Sequence, residues 1–385
     1  MSLPPVQRDF AELARGFAGR YPARHGLRLR LEELTLDVRS NDQAVVDDLR
    51  GYFGGFAEAA PADGPADLEF LLLEAPVQEP PVALAIKPAA PGKRPDKERF
   101  ADVPGAGGGG RVVRKQATGM LFLFGAVADN IAANIAVGPC AANRNQLVNF
   151  LCARYMERRL AQGWMLGHAA GVAQPGALGR GLALCGFAGM GKSTLALHLV
   201  ARGLDFVSND RALFQPGGQP AGEGRGPVLH GIPKHPRLNP GTALGNPALA
   251  ASLSCALPES ARTAYADLSP EALRAVEDKY DASIDTCFGP GRFRLAAPLG
   301  GVVVLNWRHG GGTVRARRVD LAERLDLLEA LRKPPGVFYL PRAIAAAPLT
   351  GAQCLEALGG VPALELTGGS DFEAAVVACE EFLSA

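Results

Sequence analysis

Apolar and polar residues alternate at Leu27, Leu29 and Leu31 and again at Leu34, Leu36 and Val38, the period of two that predicts two half-buried strands. Leu68, Phe70 and Leu72 repeat that period. Between them the spacing lengthens: Val45, Leu49, Tyr52, Phe53 and Phe56 mark the inner side of a helix for which Asn41 is the expected N-cap. Residues 112–124 predict two more strands turning near Thr118-Gly119, and Leu147, Phe150, Leu151 and Tyr155 sit at helical spacing within 143–162. Next come an apolar run over 165–172, a short apolar strand over 182–185, and strong helix formers over 194–202 with Gly203 as the expected C-cap. Phe206-Val207 begins a further strand. Gly and Pro over 215–245 predict a long loop, 270–280 a helix, 299–307 a strand, and 320–331 a surface helix; no internal repeat is visible.

A chain of 385 residues accommodates two domains or one large α/β domain with an appendage. The expected division is an N-terminal α/β domain over 1–75, a Pro/Gly-rich segment over 76–110, and a third region over 111–385. Prolines at 76, 80, 81, 88, 91, 95 and 104 and the run Gly107–Gly110 read either as a linker or mobile loop or as an ordered excursion packed on the core. The formal net charge of +1 gives no broad basic field, so no nucleic-acid partner is expected. No uninterrupted apolar run is long enough to span a bilayer, and none is expected to. The opening MSLPPVQRDF lacks a basic-then-apolar signal pattern, and seven scattered cysteines without a Cys-x-x-Cys pair are expected to be reduced and mostly buried. Both point to a cytoplasmic protein.

The chemistry is densest at Gly186-Phe187-Ala188-Gly189-Met190-Gly191-Lys192-Ser193, a complete G-x-x-x-x-G-K-S sequence between a predicted strand and a predicted helix. Glycines there let backbone N–H groups turn inward around a polyphosphate, and the helix N-terminus adds partial positive charge. Gly186, Ala188, Gly189, Met190, Gly191, Lys192, Ser193 and Thr194 are the expected nucleotide-binding residues, with Lys192 on the β- and γ-phosphates and Ser193 on Mg²⁺. Asp210 follows Lys192 by eighteen positions, at the end of the next strand. If the two strands are neighbours, its carboxylate faces the γ-phosphate, as a metal ligand or as the acceptor of a hydroxyl proton.

His168, the loop 186–193 and Val207-Ser208-Asn209-Asp210 together resemble the HPr kinase/phosphorylase family, most of all the bacterial HprK-related kinases, whose core is shared with phosphoenolpyruvate carboxykinases. The resemblance covers about 165–240, and the rest of the C-terminal half more loosely. It implies a P-loop kinase core, a mixed sheet flanked by helices, with a smaller N-terminal α/β domain. It also implies ATP and Mg²⁺ as cofactors and a serine acceptor, in a protein or a small molecule; a homo-oligomer is plausible by the same analogy. His168 matches the histidine that assists the catalytic carboxylate, Lys192 and Ser193 the triphosphate and metal residues, and Asp210 the second aspartate of a Val-Ala-Asp-Asp segment. The first aspartate is Asn209 here, and an amide takes no proton. A Glu-x-Arg-Gly segment corresponds to Val228-Leu229-His230-Gly231, so a metal-holding glutamate is also replaced. The chain is therefore expected to be either a kinase with an altered base or an ATP-binding protein of the same fold with weak transfer; a plain ATPase or GTPase switch is less favoured.

Lys234 and Arg237, in a cation-rich and proline-stiffened stretch, are expected to neutralise the transferring phosphoryl group, or else to be solvated loop cations. Arg292, in Gly289-Pro290-Gly291-Arg292, is a weaker candidate, as are Lys279, Asp281 and Asp285. Asn143, Asn145, Gln146 and Asn149 crowd one helix start, where structural roles are expected. Trp164 and Trp307 are expected in the core or at its rim. No Cys/His metal cluster and no Gly-x-Ser-x-Gly elbow occurs.

Overall fold

The computed structural model describes residues 9–59, 64–86, 97–128, 131–187, 189–217, 226–308, 312–333, 335–340 and 349–385. The fold is mixed α/β. Two compact units form, Met1–Arg158 with Pro335–Ala346, and Arg159–Pro334 with Ala347–Ala385.

The first unit opens with helix α1 (Phe10–Arg20), the hairpin β1 (His25–Leu31) and β2 (Leu34–Ser40), helix α2 (Gln43–Phe53) and strand β3 (Leu68–Glu74). Strands β4 (Ala85–Ile86), β5 (Glu98–Val103), β6 (Gly110–Lys115), β7 (Leu121–Ala128) and β8 (Ile131–Gly138) follow, then helix α3 (Arg144–Leu160). The eight strands form one sheet in the order β1-β2-β3-β8-β7-β6-β5-β4. Three expectations need correcting. Residues 111–138 belong to this sheet rather than to the C-terminal region, because β8 pairs in parallel with β3. The Pro-rich segment contributes β4 and β5 at the sheet edge, where prolines interrupt no central ladder; its residues 87–96 lie outside the described ones. Asp42, not Asn41, caps α2 through the Ala44 N–H, because both groups of the Asn41 amide are taken by the Glu74 backbone.

Helix α1 buries Phe10, Leu13, Ala14 and Phe17 against Leu73, Val112, Leu121, Leu123, Ile135 and Val137. A second aromatic group joins Phe70, Phe122, Phe124, Phe150 and Phe338, with centroids 5.0–6.0 Å apart. The segment around Phe338 is held by buried charges. Arg111 donates to the Val337 and Tyr339 carbonyls, Arg154 to the Phe338 carbonyl, and Glu157 accepts from the Leu340 N–H at 2.6 Å. Arg154 also pairs with Glu157 and with Asn134 Oδ1.

The second unit contains β9 (Met165–Gly167), β10 (Ala169–Ala173), β11 (Gly181–Gly186), α4 (Lys192–Ala201), β12 (Asp205–Ser208), β13 (Ala212–Gln215), β14 (Val228–His230), β15 (Arg237–Leu238) and α5 (Pro240–Ala243). After them come α6 (Pro247–Leu253), α7 (Glu259–Tyr265), α8 (Pro270–Ala275), β16 (Tyr280–Asp281), α9 (Ile284–Phe288), β17 (Ala296–Leu305), β18 (Val314–Val319), α10 (Leu325–Leu328), α11 (Gly351–Leu358), β19 (Ala363–Gly368) and α12 (Phe372–Ser384). The sheet runs β12-β10-β11-β17-β14-β13-β9, with β19 also on β17 and β18 on β19. Both of its faces are covered, so the central strands read as continuous apolar runs. Leu182 and Leu184 join one core with Leu195, Leu199, Val376 and Phe382, while Ala183 and Cys185 join another with Leu327, Leu331 and Leu358.

Two expected elements differ. Within 215–245 the chain forms β14, β15 and α5, with 218–225 outside the described residues. Residues 320–331 form only the short α10, and Leu321, Leu327, Leu328 and Leu331 are buried rather than lining a surface helix. Their leucines answer to the second core, not to one helical face.

Candidate active site

Strand β11 delivers the loop and α4 begins at Lys192. Gly186, Gly189 and Gly191 all have positive φ, 155°, 83° and 84°, a backbone that side chains resist. The loop is fixed from behind by Trp307, buried, whose indole N–H donates to the Met190 carbonyl at 2.9 Å. The Phe372 ring meets Trp307 edge-on at 5.4 Å and leaves no room for a Cβ on Gly191. Lys192 is buried, with its ammonium donating to the Gly186 and Phe187 carbonyls at 2.7 and 3.2 Å. Burial draws its pKa below the usual lysine value, against the opposing fields of Asp210 and Cys185. Ser193 and Thr194 follow in the first turn of α4, both half-buried. Ala188 lies outside the described residues.

The other half of the site comes from two bent strands. Strands β9 and β10 are one run broken at His168, and β12 and β13 one run broken at Asn209–Arg211. They pair antiparallel on both sides of the break, Gly167 with Ala212 and Gly171 with Ser208. That register brings His168 opposite the Asn209–Arg211 corner. His168 Nε2 lies 3.1 Å from Asp210 Oδ1, and the His168 N–H donates to the Leu331 carbonyl at 2.6 Å. The corner itself is very tight. The Arg211 N–H donates to the Asn209 carbonyl at 2.8 Å, which leaves Asp210 alone in the middle with φ at 65°. A three-residue turn with positive central φ is the rarer, strained form. The buried Ser208 hydroxyl braces it, donating to the Arg211 carbonyl and accepting the Ile232 N–H at 3.3 Å.

The condition that β11 and β12 be neighbours is not met: β10 lies between them, antiparallel to both. Two antiparallel steps restore the direction, so the ends of β11 and β12 still reach the same sheet edge. At about 4.8 Å per step, Asp210 stands about 10 Å across the sheet from the loop.

Three basic side chains face the Asp210 carboxylate: His168, Lys333 Nζ at 3.6 Å and Arg211 Nε at 3.9 Å. Burial alone pushes its pKa up, but the His168 hydrogen bond and the charges of Lys333, His168 and Arg211 outweigh it, so the carboxyl is held well below the usual range. Lys333 escapes a reading of the sequence. It arrives because Leu331 and Arg332 run along β9, with Arg332 bridging Gly167; the only sequence signal is Arg332-Lys333 ahead of a Pro pair. Counting Lys192, Lys333 and Arg211 against Asp210, the edge carries a cationic surplus suited to a polyanion.

Other expected residues go elsewhere. Arg237 Nε pairs with Asp281 at 3.4 Å and its guanidinium bonds the Lys279 carbonyl, which commits it to the β15–β16 ribbon rather than to Asp210 or the loop. Arg292 holds Asp205 and the Val200 and Leu204 carbonyls, tying the end of α4 to β12, and Asp285 accepts the Arg292 N–H. Lys234 is half-buried just beyond Gly231, whose backbone packs against the Val207 carbonyl so closely that a Cβ would stand 1.9 Å from it. His230 bonds Gln215 and lies against Trp164. Asn209 Oδ1 is buried without a hydrogen-bond partner, an orphaned acceptor beside the strained turn.

Mg²⁺ takes hard oxygen ligands and keeps several waters. The Ser193 hydroxyl and the Asp210 carboxylate are oxygen donors of that kind, and among the described residues no group of three His, Cys, Asp or Glu side chains offers an all-protein cage. No helix among the described residues is long and apolar enough to cross a membrane.

No family model matches the chain, and no curated protein does. Among solved structures, a similar chain is the Hpr(Ser) kinase/phosphatase from Coxiella burnetii, 10% identical with a TM-score of 0.26, over 56% of this chain and 89% of that one.

Proposed function

We propose that this protein transfers the γ-phosphoryl group of ATP to a hydroxyl, of a protein serine or of a small metabolite. The observation that carries the reading is the shared sheet edge: the Lys192 loop ends β11 where the His168–Asp210 pair stands. The loop N–H groups and Lys192 hold the phosphates, with the α4 N-terminus adding positive charge. Ser193 and Asp210 would hold Mg²⁺, which would supply neutralisation of the charge developing on the phosphate oxygens. Asp210, with His168 beside it, receives the proton of the attacking hydroxyl. Lys333, Arg211 and Lys234 stabilise the transferring charge; Arg237 is left out because Asp281 holds it.

A second reading, an ATP-binding protein with weak transfer, is favoured by one observation. Asn209 presents an amide, with its Oδ1 buried and without a hydrogen-bond partner, where a proton acceptor would serve. Incubation with γ-labelled ATP, Mg²⁺ and separated protein and metabolite fractions distinguishes the two. Label on an acceptor, lost in both Lys192→Ala and Asp210→Asn, is the expected result. ATP binding with neither transfer nor hydrolysis would replace the first reading by the second, and label released only as free phosphate would make the protein a hydrolase.

A further inference from the structure

We propose that Cys255 and Cys287 form a disulfide on oxidation, a modification site in the second unit separate from the phosphate loop. Cys255 sits in the single 3-10 turn Ser254–Ala256 after α6, and Cys287 lies on α9, thirty-two positions later. Their Sγ atoms are 2.9 Å apart. A disulfide bond is about 2.05 Å long, so closure requires a shift of less than about 1 Å. Cys140, Cys152, Cys185, Cys354 and Cys379 are buried, whereas Cys255 is exposed and Cys287 half-buried.

The asymmetry of the pair orders the chemistry. Cys255 meets solvent, so hydrogen peroxide reaches its thiolate first. The sulfur attacks one peroxide oxygen, the O–O bond breaks, hydroxide leaves, and Cys255 becomes a sulfenic acid. The Cys287 sulfur then attacks the Cys255 sulfur, and the sulfenic oxygen leaves as water with the Cys287 proton. Two thiols are oxidised, and the peroxide is reduced to two waters. Burial, then the bond with Cys255, pushes the Cys287 thiol well above the ordinary range, which keeps it protonated and leaves the first attack to Cys255; it acts in the second step because its partner is already in contact.

The bond would join two elements each tied to α4. Asn246, the N-cap of α6, faces His198 of α4 at 2.9 Å. On the other side, Asp285 of α9 holds Arg292, whose guanidinium bonds the Val200 carbonyl of α4 and the Leu204 carbonyl just beyond it. The site involves neither Lys192 nor Asp210, so it stands independently of the nucleotide reading.

The test is a hydrogen peroxide titration of the full chain, followed by alkylation and peptide mapping without reductant. The seven thiols should fall to five, with a Cys255–Cys287 linked peptide, and dithiothreitol should restore all seven. Cys287→Ser should stop at a sulfenic acid on Cys255 that dimedone traps, and Cys255→Ser should leave Cys287 unreacted at the same dose. An oxidised chain that keeps seven thiols, one that links a different cysteine, or one that carries Cys255 to sulfinic acid with Cys287 still free overturns the proposal.

Discussion

His168 Nε2 and Asp210 Oδ1 stand 3.1 Å apart across the corner where β9 turns into β10 and β12 into β13. The contact belongs to a ladder whose register is fixed on both sides of the break, by Gly167 with Ala212 and by Gly171 with Ser208. Backbone pairing therefore holds the two side chains together before any ligand arrives.

Replacing Asp210 by Asn removes both the proton acceptor and the charge that His168, Lys333 and Arg211 face. Phosphoryl transfer should fall by about 10²–10⁴-fold, the usual worth of a positioned general base, and Mg²⁺ affinity should weaken with the lost carboxylate, while affinity for metal-free ATP holds or rises because the cationic surplus grows. Paired measurements of turnover and of nucleotide binding check this. A loss of binding equal to the loss of turnover would make Asp210 a binding residue only.

Gly189 and Gly191 separate two costs of a side chain in the loop. Both have φ near 84°, but a Cβ on Gly189 meets open space, whereas one on Gly191 meets the Phe372 ring at 2.8 Å. Gly189→Ala should cost about 1 kcal/mol of stability, and Gly191→Ala should cost about 1–3 kcal/mol more through the clash. Denaturant unfolding reads both values. Phe372→Leu should recover part of the second cost and none of the first.

Trp307 is a reporter placed behind the loop, its indole N–H on the Met190 carbonyl. In a Trp164→Phe background it is the sole tryptophan. Titration with Mg-ATP should shift its emission, and Lys192→Ala should abolish the shift. Trp307→Phe should lower stability by about 1 kcal/mol, the net worth of a lost hydrogen bond.

Glu365 carries a pH dependence unrelated to the loop. Its buried carboxylate accepts from Arg324, Asn306 and Arg317. Burial alone would raise its pKa, but those donors bring it down to about 2 from 4.5. The folded state binds this proton less readily than the unfolded chain, so the stabilisation is complete above about pH 4.5 and fades as pH falls toward 2. Arg317 and Arg324 reach solvent, which screens the pair, so the contribution is about 2 kcal/mol rather than the full shift. Unfolding of wild type and Glu365→Gln across that window should show a gap at pH 7 that narrows as the pH falls.

The loop, α3 and the β1–β2 hairpin were legible in the sequence because each is set by neighbours a few positions away: glycines before Lys192-Ser193, Leu147 to Tyr155 at helical spacing, alternating leucines at 27–38. What was not legible depends on distant strands. The placement of β10 between β11 and β12, the inclusion of β6–β8 with β3, and the arrival of Lys333 beside Asp210 are set by pairing across the sheets. Arg237 had the right chemistry for a phosphate, but its partner Asp281 lies forty-four positions downstream, and only the ribbon they share reveals the pair. Asp210 was recognised as a carboxylate at a strand end, while the strain in its backbone left no mark in composition.

The return of residues 335–340 to the first unit has a consequence for synthesis on the ribosome. Arg111, Arg154 and Glu157 are complete early in translation, yet the carbonyls of Val337, Phe338 and Tyr339 and the N–H of Leu340 come 183 to 228 residues later. At about 5–20 residues per second, those buried groups wait roughly 10–40 s for their partners. The first unit cannot mature as the chain emerges. Its last pieces arrive only after most of the second unit has left the exit tunnel, so its completion is a late event, and a chain stalled before Leu340 would leave these charges without their final contacts.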